Sequence, residues 1–144
     1  MFSLRLIPAL LLPVLSCIAL AKGNPDAALA ERFIDCSAQV SILKQAGDQY
    51  KIFTPEQSMQ TQTMVGMYLM AGIALSDEKT AKARMQASTD KAMANARKNI
   101  KNGDPTAYFE NAGKQAQICS SLMEQHYERI KPKLDAYMGS GQAQ

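Results

Sequence analysis

The chain is 144 residues long, with a formal charge of +3, three cysteines, one histidine and no tryptophan. That length holds one domain rather than several. A lone histidine excludes a histidine-rich metal cluster, and there is no glycine-rich phosphate loop, no Ser/His/Asp arrangement and no Glu-x-x-His pair of the di-iron kind. The expectation is a protein that is not an enzyme and carries no cofactor. Much alanine, nine methionines and few aromatic residues favour helix over sheet.

The first stretch has one early positive charge, an apolar run over 6–20 and the small-x-small triplet Ala19-Leu20-Ala21. This predicts a signal peptide over 1–21. Pro8 and Pro13 interrupt the run, which is also short for a membrane span. Cys17, just after Val14-Leu15-Ser16, gives a lipid anchor as the alternative. A single helical domain is expected over 22–138 and a flexible tail over 139–144. The expected location is the periplasm. Either processing route leaves Cys36 and Cys119 in the folded domain, and an even pair in an exported protein reads as a disulfide.

Asn24-Pro25-Asp26 is a helix start, with a capping asparagine, proline in the first turn and an acid at the positive end of the dipole. Leu29, Phe33, Cys36, Val40 and Leu43 form one helical stripe, and Gly47 is expected to cap it in the left-handed conformation. The first helix is therefore placed at 25–46. Tyr50, Ile52 and Phe53 in the connector are expected to fold back over the end of the molecule.

Thr54-Pro55-Glu56-Gln57 has capping-box spacing and opens the second helix, 55–75. Ser76-Asp77-Glu78 reads as a new start, giving a third helix over 77–102, with 54–102 as one continuous helix the alternative. Asn102-Gly103-Asp104-Pro105 closes it and opens the fourth, 105–130. Ala112, Ala116, Cys119, Met123, His126 and Ile130 form the seam of that helix. Pro132 is expected to stop or kink it, leaving a short C-terminal turn.

Short connections between amphipathic helices predict an all-α, antiparallel four-helix bundle in which the first and fourth helices are neighbours. Cys36 and Cys119 lie near the middles of those helices and face inward by periodicity. Antiparallel neighbours bring their midpoints to one height, so the two are expected to be bridged.

Three features carry candidate chemistry. His126 sits two helical turns from Cys119, about 10.5 Å of rise, too far to share a metal ion with it. Heme ligation through His126 is the specific alternative, and no Cys-x-x-Cys-His attachment motif accompanies it. Met64, Met67 and Met70 recur every third residue, and thioethers select Cu(I), so a copper carrier is a second function class. Methionine is also a flexible packing residue. The helix that carries them is apolar nearly all round, so part of its surface, including Met64, Tyr68 and Leu75, is expected to bind a protein partner or a second copy.

The third helix is the converse. Residues 79–101 hold seven basic residues and one acid, a net +6, whereas 22–78 sums to −3 and 102–144 to −1. The cations, Lys91, Arg97, Lys98 and Lys101 among them, share roughly one arc. Ala81, Met85, Ala92, Ala96 and Ile100 share the other. The ordinary meaning of such a face is contact with solvent; docking to an acidic protein or anionic lipid is the sharper reading. Nucleic acid is not expected, since no aromatic residue accompanies the charge. The sequence thus points to an exported helical binding protein, of the kind an envelope inhibitor, a toxin-neutralising protein or a chaperone-like accessory would be.

Overall fold

A computed structural model describes residues 24–141. The expected signal peptide, Cys17 and the last three residues lie outside the described residues. Four helices follow in order, α1 Pro25–Gln49, α2 Pro55–Leu75, α3 Glu78–Asn99 and α4 Thr106–Ser140, with no named strand among the described residues. None of them is long and apolar enough to cross a membrane.

The starts obey the local chemistry. Asn24 accepts from the Asp26 amide, Thr54 and Gln57 form a reciprocal capping box, and Asp77 accepts from the Thr80 amide. The break between α2 and α3 is therefore real, and Asp77 is what enforces it.

Three boundaries differ from expectation. Gly47 does not end α1; the helix continues to Gln49, and the residue that turns left-handed is Lys51, at φ 55°. Gly47 is needed for space instead, because a Cβ there would lie 2.4 Å from the Phe53 ring. That ring folds back with Tyr50 onto the upper core, while Ile52 stays exposed. Helix α3 ends at Asn99, not at 102, because Ile100 is already extended, at φ −86° and ψ 99°, and Asn102 and Gly103 then adopt φ 53° and 78°. With the Asp104 amide donating to the Lys101 carbonyl at 2.9 Å, they make a tight turn of the Asn-Gly kind.

Helix α4 continues past Pro132 to Ser140 rather than stopping near Ile130. Contacts on both sides of the proline hold it. Arg129 and Lys133 both donate to the Asp26 carboxylate, Leu134 packs on the core, and the Tyr137 hydroxyl donates to Glu78.

The bundle is organised around α1. Cys36 is bridged to Cys119, with a Cα–Cα distance of 5.7 Å, and Asp26 reaches Arg129, so α4 runs antiparallel along α1. The Ser37 hydroxyl donates to the Val65 carbonyl of α2 at 2.9 Å, and Gly72 lies against Ile34 and Ala30. The lower core joins Leu29, Phe33, Cys36 and Val40 of α1 to Val65, Tyr68, Ala71 and Leu75 of α2 and to Cys119, Leu122 and Ile130 of α4. The upper core joins Ile42, Leu43 and Ala46 to Ala92, Ala96 and Tyr108.

The helical glycines fall into two kinds. A methyl group on Gly66 or Gly113 would meet nothing within 4 Å, whereas one on Gly72 would lie 2.5 Å from Cγ1 of Ile34. Gly66→Ala and Gly113→Ala should each stabilise the protein by about 0.5–1 kcal/mol through helix propensity. Gly72→Ala should be net destabilising, since overpacking at about 1–3 kcal/mol outweighs that gain. Urea unfolding of the three variants checks the opposite signs.

Candidate functional site

The residues that α3 buries are all small, Ala81, Ser88, Ala92 and Ala96. The helix therefore sits close to α1. Helix α4 is seated on the other side, over α1 and α2, and the two flanking helices stand apart. Between them lies a cleft of about 710 Å³, a size usual for a binding site.

The floor of the cleft comes from α1, through Asp35, Gln39, Val40 and Leu43. One wall is α3, contributing Arg84, Ala87, Lys91, Asn95 and Lys98; the other is α4, contributing Asn111, Ala112, Lys114, Gln115 and Ala116. Tyr108 closes the upper end and is buried there, which pushes its phenol up to about 12.

The charges divide into a locked group and a free one. Asp35 accepts two hydrogen bonds from Arg84, from Nε at 3.0 Å and Nη2 at 2.8 Å, and a third from the Ser88 hydroxyl. Glu31 adds a 3.5 Å ion pair to the same guanidinium. Partial burial pushes the Asp35 carboxyl up, but the Arg84 and Ser88 hydrogen bonds, with the charges of Arg84 and Lys91, outweigh it and hold the group below its ordinary 3.8. Lys91, Lys98 and Lys114, by contrast, have no acidic partner among the described residues. Three exposed cations thus face one concavity, and its single acid is already spent on Arg84. The floor adds Gln39, whose Oε1 is buried without a hydrogen-bond partner. An unmade bond of that kind costs about 1–3 kcal/mol.

The locked pair gives a pH prediction. Because the folded value of Asp35 is depressed, its stabilising contribution is complete above 3.8 and is lost as the pH falls through the folded value. Discounted for solvent exposure, the contribution is about 1 kcal/mol. The stability gap between wild type and Asp35→Asn, measured by urea unfolding, should be largest at neutral pH and shrink below about pH 4.

The sequence-predicted residues are redistributed. Lys91 and Lys98 line the cleft, while Arg97 and Lys101 are exposed outside its lining. On α2, Tyr68 and Leu75 are 3% and 6% exposed and belong to the core, with Met64 packed against it. They are not available as a free surface, because they pack into the core that α2 shares with α1 and α4. Of the large apolar side chains of α2, Met59 and Met67 are exposed, and Leu69, Met70 and Ile73 are half-buried. His126 is half-buried on α4, and no group of three or more His, Cys, Asp or Glu side chains that could hold a metal ion occurs among the described residues. Lys114 and the amide-bearing floor were missed by the sequence reading. Lys114 is an isolated cation on α4, and only the separation of α3 from α4 gives it company.

The chain matches no family model, no characterised protein and no solved structure.

Proposed function

We propose that this is a binding protein, not a catalyst, and that its working surface is the cleft between α3 and α4, which takes an acidic protein partner. One observation carries the reading: Lys91, Lys98 and Lys114 converge on a concave site without acids of their own. Cations left unpaired on two walls of a cleft raise the local concentration of anionic partners and steer their approach. The amides of Gln39, Asn95, Asn111 and Gln115 supply donors and acceptors for backbone recognition. In this reading the protein is exported to the periplasm; the apolar run over 6–20 and the Cys36–Cys119 bridge support that placement.

The test uses poly-glutamate as a generic acidic chain. Wild-type protein is expected to bind it saturably at low ionic strength and progressively less as salt is added. The triple variant Lys91→Glu/Lys98→Glu/Lys114→Glu should not bind it. These side chains are exposed, so the variant should keep its fold by circular dichroism. Equal binding by both proteins, or none by either, overturns the reading.

A further inference from the structure

We propose that the occupant of the cleft is an acidic amphipathic α-helix, lying lengthwise along the gap between α3 and α4 with one face seated in it. The inference rests on the reading above, that the cleft takes an acidic protein, and adds the shape of what enters.

The cleft is long and has a repeat. Arg84, Lys91 and Lys98 stand seven residues apart on one wall. Seven residues are two turns and about 10.5 Å of rise, so the three lie nearly in line over about 21 Å. The lower one is neutralised by Asp35, which leaves Lys91 and Lys98 free. Lys114 faces them from the opposite wall at a fixed height. It precedes Cys119 by five residues, and Cys119 is level with Cys36; Lys91 follows Ser88 by three, and Ser88 bonds Asp35. Counted along α1, both lysines come within about one turn of Ser41.

A helix fits this repeat because its own faces recur at the same 10.5 Å interval. An extended chain presents one face about every 6.7 Å or 13.4 Å, out of step with the two free lysines. The walls also suit a helix. Ala87 on α3 is exposed, Ala112 and Ala116 on α4 are half-buried, and all three are short enough to let another backbone come near. An occupant with a narrow apolar seam towards these alanines would carry acids on both flanks of the seam. One flank would meet Lys91 and Lys98, the other Lys114, in the manner of the flanking charges of a coiled coil. An acidic sugar chain is less suited, since the one ring in the lining, Tyr108, is 3% exposed and offers no stacking face.

The experiment uses three labelled synthetic peptides about three heptads long. The first has an Ala/Leu seam flanked on both sides by glutamates. The second has the same composition with the glutamates moved to the far side. The third is the first with two central prolines. Anisotropy titration is expected to show the first binding at least about tenfold tighter than the other two, a difference of a few flanking ion pairs. It should gain helicity on binding and lose affinity for the triple lysine-to-glutamate variant. If the proline peptide binds as tightly as the first, or if poly-glutamate binds and no peptide does, the helical occupant is wrong while the acidic-protein reading stands. If only a sulfated polysaccharide binds, or nothing does, both fall.

Discussion

Replacing Cys36 and Cys119 together by alanine is expected to lower the free energy of unfolding by about 4–5 kcal/mol. The bridge spans a sequence separation of 83 residues, which includes all of α2 and α3. In the chain-entropy account a loop of that size removes about 4.5 kcal/mol of disorder from the unfolded chain. The total stability of such a domain is about 5–15 kcal/mol, so the loss is between a third and nearly all of it. The upper core is built largely from alanine on the α3 side, Ala92 and Ala96, and has little apolar area in reserve. Urea unfolding of the double variant, and of the wild type with and without reductant, should give the same shift. A loss below about 1 kcal/mol would mean that the bridge constrains little in the unfolded state.

Phe33→Ala should cost about 3–5 kcal/mol, because it opens a cavity at the fully buried centre of the lower core. The ring stacks on Tyr68 with centroids 6.4 Å apart, and its helix is the one every other helix packs against. Little can collapse into the space, since Ala30 and Ala71 beside it are already small. Yet Phe33 is not part of the cleft lining, whose floor comes from Asp35, Gln39, Val40 and Leu43. Under conditions where the variant is still folded, binding in the cleft should be unchanged while the thermal midpoint falls well below that of the wild type. A loss under about 1.5 kcal/mol would show that the lower core repacks freely.

Much of the architecture is legible in the sequence. Capping residues at Asn24, Thr54 and Asp77 mark three of the helix starts by local hydrogen bonding alone, and the seam positions of Cys36 and Cys119 suffice to pair them. What failed were features decided by distant contacts. Gly47 looked like a stop because glycine often is one; only the Phe53 ring shows that its missing side chain serves packing. Pro132 looked like a stop because nothing in its neighbourhood reveals that Asp26, far earlier in the chain, holds Arg129 and Lys133 on either side of it. The site was half legible. The basic arc of α3 is a local pattern, but periodicity does not say which helices leave a gap between them. The burial of Tyr68 and Leu75 is hidden for the same reason, since it depends on α1 and α4 both packing against that side of α2.

The central claim is that this gap is where the protein binds. Its most direct measurement is amide chemical-shift mapping by NMR during titration with the seam-flanked acidic peptide. The account predicts perturbations at Gln39, Lys91, Asn95, Lys98 and Lys114, on three helices around one cleft. Perturbations confined to the exposed methionines of α2, Met59 and Met67, or none at all at saturating peptide, would contradict it.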